Sequence, residues 1–280
     1  MKNVILLLFA ASLLWGCRKE NENVSADPTD ENQVNAPLLS WWQPKAGVTF
    51  DWCLDDLKAS DTFTAEVVDV DAFTTTAAQV AALHKQGKKV IAYLSVGTIE
   101  DDRPDANLLP AEVIGKIYDE WPHEKWLDIR KPEKLQPWLK SRINMILSKG
   151  FDAVEPDNID SYDNDSGFDI SLDDTKRYCD YLIALAHQNG LGIGQKNVPE
   201  LADTYSKQFD WVLTEDAFAD KFQDDLKSYI SLNKPVFAVE YTDRTSQSSF
   251  SSTICPKAKS LGYFALLKRR SLEKWSFNCQ

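Results

Sequence analysis

One phrase recurs along this 280-residue chain: apolar residues at helical spacing, a glycine, then a short apolar strand. In 76–86, Val80 and Leu83 share a face, Gly87 follows, and 89–95 reads as a strand. In 132–149, Leu135, Trp138, Leu139, Ile143, Ile146 and Leu147 recur at helical spacing before Gly150 and the strand opened by Phe151. Tyr178, Leu182 and Leu185 within 173–189 precede Gly190, and Lys259-Ser260-Leu261-Gly262 precedes another apolar run. Glycine just past a helix supplies a left-handed cap. Strands alternating with helices pair in parallel. Strands are expected at 49–54, 66–71, 89–95, 151–158, 190–197, 210–215, 235–241 and 262–267. Eight is the number that closes a barrel. The expected fold is therefore α/β, a (β/α)8 TIM barrel in one domain. The long interval 96–149 has to hold an extra loop or helix before the 132–149 helix. A doubly wound open sheet is the other candidate, but no Gly-x-Gly-x-x-Gly opens a helix after the first strand.

The barrel accounts for residues 38–280. Before it, Lys2 and the apolar run Val4–Trp15 have the layout of an export signal and are too short to span a bilayer. The run ends in Gly16-Cys17, which resembles a bacterial lipoprotein signal cleaved ahead of a lipidated cysteine. The expected organisation is a signal peptide over 1–16, a lipidated Cys17 with a polar, Pro-containing tether over 17–37, and a catalytic domain over 38–280. Lipid on Cys17 would anchor the domain to a membrane without spanning it. Its location would be the cell envelope, outside the cytoplasm, with the outer membrane or cell surface favoured.

A net charge of −12 argues against nucleic-acid binding, which needs clustered Lys and Arg. Cys53, Cys179, Cys255 and Cys279 fit no zinc spacing, and only three histidines are present. An exported compartment permits disulfides. Cys255 and Cys279 flank the last βα unit, where a bridge would tie down the C-terminal tail, with the pairing among the four left open; Cys179 lies in a helical pattern and reads as a buried thiol.

The chemistry concentrates in Gly150–Tyr162, where a strand that begins with small and apolar residues ends in Glu155, Asp157, Asn158 and Asp160. Alternation puts Glu155 and Asp157 on one face, and Pro156 is expected to stop regular pairing. Acids beside a core are costly without a partner or a task. A salt-bridged structural pair is the bland alternative. The C-terminal ends of barrel strands carry the active site, and here they gather Asp55, Asp56, Asp69, Asp71, Tyr93, Glu100, Glu155, Asp157, Asn158, Gln195, Lys196, Asn197, Glu215, Asp216, Glu240, Tyr241 and Asp243, with Lys196 and Arg269 as counter-charges. No serine elbow, Cys/His pair, P-loop or His-rich metal set is present. A carboxylate rim with interleaved aromatic rings suits glycoside hydrolysis, in which one acid protonates the leaving oxygen and another attacks or activates water. Trp41, Trp42, Trp52, Trp126, Tyr162, Phe218 and Tyr241 are candidate sugar platforms, although core packing explains each one singly about twice as readily.

Trp42-x-Pro44, Val68-Asp69-Val70-Asp71, Ala92-Tyr93-Leu94-Ser95-Val96-Gly97 with Glu100, Trp126-Leu127-Asp128-Ile129-Arg130, Glu155-Pro156-Asp157-Asn158, Gln195-Lys196-Asn197 and Glu215 together resemble glycoside hydrolase family 114, the endo-α-1,4-polygalactosaminidase-like barrels. The resemblance covers about 40–270. It implies a TIM barrel without metal or organic cofactor that cleaves inside galactosamine-containing polysaccharide. It also implies Asp157 as nucleophile and Glu215 as acid/base, with retention of configuration. Asp69, Asp71, Tyr93, Glu155, Asn158, Lys196 and Tyr241 would line the substrate pocket, and Asp71 or Glu155 would pair with a sugar ammonium. Relatives commonly carry Asn-Glu-x-Cys where this chain has Thr214-Glu215-Asp216-Ala217, which bears on substrate identity. The competing reading is a surface glycan-binding lipoprotein on an inactivated barrel.

Overall fold

The computed structural model describes residues 40–279 apart from 59; the proposed signal, Cys17 and the tether lie outside the described residues. Eight parallel strands follow one another around a curled sheet: β1 (Phe50–Cys53), β2 (Val67–Asp71), β3 (Lys89–Ser95), β7 (Ala153–Asp157), β8 (Gly192–Lys196), β9 (Trp211–Glu215), β10 (Val236–Tyr241) and β11 (Phe264–Lys268). Each expected strand is present, shortened by a residue or two at most ends. A two-residue strand, β12 (Phe277–Asn278), adds antiparallel to β11. Among the described residues β1 and β11 share no ladder, and side chains bridge the seam. Lys268 Nζ lies 3.4 Å from Asp51 Oδ1, Ser276 Oγ donates to Asp51 Oδ2, and Leu54 N–H reaches Leu272 O. The result is a TIM-barrel-like α/β domain.

Two cores follow from strand alternation. Inside the barrel, Phe50 stacks on Phe237 with centroids 4.3 Å apart, among Val67, Ile91, Ala153, Trp211, Leu213 and Val239. Outside it, Val68, Val70, Val90, Ala92, Val154 and Ile193 pack against helices α1 (Ala77–Lys85), α2 (Pro132–Lys149) and α3 (Leu172–Gln188). Helix starts are written locally: Thr76 with Gln79 and Ser171 with Asp174 both form capping boxes. Gly150 ends α2 at φ 84°, a conformation that costs a residue with a Cβ. Later helical segments are short, α4 (Ala202–Tyr205) and α5 (Lys227–Ser231), until the run of α6 (Gln247–Ser249), a π-turn and α7 (Cys255–Leu261). The Cys255–Cys279 disulfide ties α7 to the C-terminal end, while Cys53 and Cys179 are buried thiols.

Two expectations need correction. The interval 96–149 is not simply loop or helix ahead of α2: it holds a three-stranded antiparallel sheet, β4 (Thr98–Glu100), β5 (Ile114–Tyr118) and β6 (Trp121–Leu127), in the order β4-β6-β5. Nor does Pro156 end all pairing. The ladder from β7 to β3 runs through Leu94↔Pro156 to Ser95↔Asp157, whereas the ladder to β8 ends at Val154↔Ile193. Proline's missing N–H matters only on the side it would have faced. No described helix is long and apolar enough to cross a membrane.

Candidate active site

At the C-terminal ends of the strands a cavity of about 900 Å3 opens. Its floor is organised by Lys196 at the end of β8. Lys196 Nζ donates to Glu155 Oε1 at 3.0 Å and Asp157 Oδ1 at 2.8 Å, and lies 3.2 Å from Glu215 Oε2. It also sits 4.6 Å from the centroid of the Trp52 ring. Burial alone would lower its pKa, but Asp157, Glu155 and Glu215 outweigh that and hold the ammonium charged. A lysine 2 % exposed is tolerable there because three carboxylates surround it.

Asp157 and Glu215 are thus brought to one place from β7 and β9. Tyr93 on β3 donates to Asp157 Oδ2 at 2.9 Å. Tyr241 on β10 donates to Glu215 Oε1 at 2.5 Å, and Asn197 Nδ2 donates to Oε2 at 3.0 Å. Burial pushes the Glu215 pKa up, but Lys196, Tyr241 and Asn197 together bring it below the usual glutamate range. Asn158, at φ 61°, turns its side chain back to donate to Ser95 and Thr98 hydroxyls. Its backbone presses on Gly97 so closely that a Cβ at 97 would sit 1.6 Å from Asn158 O. That contact fixes where the chain leaves β3 and β7.

Asp71, Tyr93, Asp157, Asn158, Lys196, Glu215 and Tyr241 line the cavity. Asp69 and Glu155 do not: both are 0 % exposed and lie beneath the lysine. Neither they nor Asp71 is free to meet a sugar ammonium. Asp71 Oδ1 already accepts from the Phe73 and Thr74 amides, and Oδ2 from Arg103. Glu240 points out of the barrel, where it caps the amides of Phe218 and Ala219. Arg269 pairs with Glu273 and faces Trp275, so the cavity's counter-charges are Lys196, Arg103 and Arg270. Of the aromatic candidates only Trp52 and Tyr241 reach the cavity. Trp41 stacks on His187 and donates to Asp210, while the backbone of Trp42 packs beside Gly192, both at the opposite strand ends. Trp126 is core and Tyr162 donates to Glu200.

The sequence did not single out the cavity's second wall. It comes from the β5–β6 hairpin, which presents Tyr118, Glu120, Trp121, His123 and Glu124. Burial raises Glu124 to about 7, and burial with the charge of Asp157 raises Asp160 to about 6. Asp160 lines the cavity and its Oδ1 has no partner among the described residues. Opposite the hairpin, Arg270 stacks 4.1 Å from the Tyr241 ring centroid and pairs with Asp216 at 2.7 Å.

A parallel barrel with two carboxylates meeting over one buried lysine, in a cleft of acids and aromatic rings, has the layout of a glycoside hydrolase. The family profile of glycoside-hydrolase family GH114 matches residues 31–280. The chain belongs to that family. It is similar to Aspergillus fumigatus Ega3, solved in complex with galactosamine, at 31% identity and TM-score 0.77 over 86% of this chain and 98% of that one. The glycoside hydrolase domain of PelA from Pseudomonas aeruginosa, solved as a point variant, shares the fold at 18% identity and TM-score 0.65, covering 84% and 98%. A GH18 chitinase from Pseudoalteromonas aurantia is a more distant fold match, with 11% identity and TM-score 0.52 over 80% and 94%. No curated protein matches the chain.

Proposed function

We propose that this glycosidase cleaves internal α-1,4 linkages of a galactosamine-containing polysaccharide with retention of configuration, Asp157 acting as nucleophile and Glu215 as acid/base. The observation that carries the reading is the sharing of Lys196. Oxygens 2.8 and 3.2 Å from one nitrogen lie within about 6 Å of each other, the two legs end to end. That bound suits the ~5–5.5 Å gap of retaining enzymes better than the ~6.5–9.5 Å of inverting ones. Asp157, opposite Glu215, attacks the anomeric carbon as Glu215 protonates the leaving oxygen. Glu215 then takes a proton from the water that opens the glycosyl ester. The acidic cleft suits a polymer carrying free ammonium groups, and the galactosamine held by Ega3 supports that sugar class. Residues 1–16 and Cys17 are proposed to export the protein and anchor it by lipid to the cell envelope.

Purified protein incubated with partly deacetylated α-1,4-galactosamine polymer is expected to release oligosaccharides of mixed length with the α-anomer formed first. Asp157→Asn is expected to stop release while leaving the fold intact. Binding without release by the unmodified protein would overturn hydrolysis and favour a glycan-binding role. Palmitate labelling that survives Cys17→Ala would overturn the anchor.

A further inference from the structure

Beneath Lys196 lies a group that the proposed reaction does not use. Asp69, at the inward face of β2, is 0 % exposed, and neither of its oxygens meets an N–H or O–H donor among the described residues. Its neighbour within hydrogen-bonding reach is the Glu155 carboxyl on β7, whose Oε2 also lacks a donor. Glu155 Oε1 is taken by Lys196 at 3.0 Å. Two buried carboxylates facing each other with no donor between them would repel in a low-dielectric interior. Only a proton turns that contact into a bond.

We infer that Asp69 is a neutral carboxylic acid in the folded protein, donating its proton to Glu155 Oε2, and that it serves as a positioning residue for Lys196. The groups facing it fix which carboxyl holds the proton. Glu155 has the ammonium against it, whereas Asp69 makes no direct cation contact; its neighbours in register are Trp52 on β1 and Ile91 on β3, and the charges that act on it are Glu155 and Asp157 on β7 and Lys196 on β8. Burial and the Glu155 charge drive the Asp69 pKa upward. The order of contacts then runs Asp69, Glu155, Lys196, and from Lys196 to both cavity carboxylates. Asp69 never touches the substrate. It fixes the lysine from below, so that Nζ presents its remaining donors upward.

The test uses full-length protein labelled with 13C at the aspartate carboxyls, with the Asp69 resonance assigned by its loss in D69N. At pH 7 it is expected at the shift of a protonated carboxyl; a carboxylate shift there overturns the inference. This arm is independent of whether the chain hydrolyses glycan. The kinetic arm rests on the hydrolase reading. In D69N the amide still donates to Glu155, so kcat at pH 7 is expected within about fivefold of the unmodified protein. D69V removes the donor and is expected to lose at least tenfold in kcat with little change in KM. D69V matching the unmodified kcat would overturn the positioning role. If D69V fails to fold, the NMR arm and D69N decide. A linked readout is stability against pH. A carboxyl whose pKa rises on folding makes the native state less stable as pH climbs from the ordinary aspartate range toward the raised value. The Tm difference between the unmodified protein and D69N is expected to shift against the unmodified protein across that interval, and no shift counts against the inference.

Discussion

Asp157 and Glu215 hold the same ammonium from two strands that are not neighbours, with β8 between them supplying Lys196. Each carboxylate also takes a tyrosine hydroxyl from a strand on its far side, Tyr93 for Asp157 and Tyr241 for Glu215. The arrangement fixes both groups before substrate arrives, which is how positioned charges lower a barrier without reorganisation. If, as proposed, they act on one bond as a unit, Asp157→Asn and Glu215→Gln are each expected to lower kcat by roughly 10²–10⁴-fold. The double variant is expected to be no worse than the poorer single one, because losses within such a unit are not additive. Initial rates on the galactosamine polymer check both statements.

The electrostatics set a pH dependence. In its proposed role as acid Glu215 must carry a proton, and its pKa in the free protein lies below the usual glutamate range. Activity measured as kcat/KM therefore falls as pH rises through that value, which places the falling limb on the acidic side. Lys196 is the largest influence holding the value down. Lys196→Met is expected to move the limb to higher pH while lowering the maximum, since Asp157 loses the same partner. Tyr241→Phe is expected to move the limb in the same direction by a smaller amount. A limb that stays in place in Lys196→Met would assign the titration to another group.

Much of the barrel was legible because each unit states its own boundaries. Thr76 and Ser171 announce helix starts, Gly150 an end, and the apolar run of β3 is continuous because both faces are covered. Glu155 and Asp157 do share a face, as alternation requires. Depth along that face was not legible. The two acids are both inward, yet Glu155 is one layer down, beneath a lysine that arrives from 41 residues away. The same holds for Asp69, which reads as a rim acid until the lysine is placed above it. The β5–β6 hairpin was missed for another reason. Trp121-Pro122-His123-Glu124-Lys125 is mostly exposed on the cavity rim and shows no apolar alternation to mark a strand.

With the Asp71 and Glu155 carboxylates already committed, the proposed substrate leaves the cavity-lining Asp160 as the acid to meet a sugar ammonium. Burial with the Asp157 charge raises its pKa to about 6, leaving it mostly ionised at neutral pH. A charge-assisted hydrogen bond of this kind contributes about 1.5–3 kcal/mol. Asp160→Asn is accordingly expected to raise KM by roughly 10–100-fold on deacetylated polymer and to change it little on the fully acetylated form. An equal rise on both forms would show that Asp160 shapes the cleft without reading the amine.

The Cys255–Cys279 bridge closes α7, β11 and the chain end into one loop, with a sequence separation of 24. Loop-closure entropy for that length corresponds to about 3.5 kcal/mol. Cys279→Ser is expected to lower stability by up to about that amount in urea titration. It should leave the kinetics on short oligosaccharides close to those of the unmodified protein, because neither cysteine lines the cavity.

Trp121 stands 54 % exposed on the β5–β6 hairpin while also lining the cavity, with Glu120 beside it. An indole on the rim of a sugar-binding cleft offers a flat apolar face that a ring can stack on. The cleft it borders holds the two carboxylates at its floor, so a chain threaded across them would place a more distant sugar against the hairpin. Stacking on an exposed indole contributes about 1 kcal/mol, roughly fivefold in affinity. Trp121→Ala is therefore expected to raise KM about fivefold for long oligosaccharides and to leave kcat and the shortest cleaved oligomer unaffected. The length at which the two KM curves separate counts the sugars between the cleaved bond and the hairpin. If the variant behaves alike at every length, the chain runs along the opposite wall, past Arg270 and Asp216.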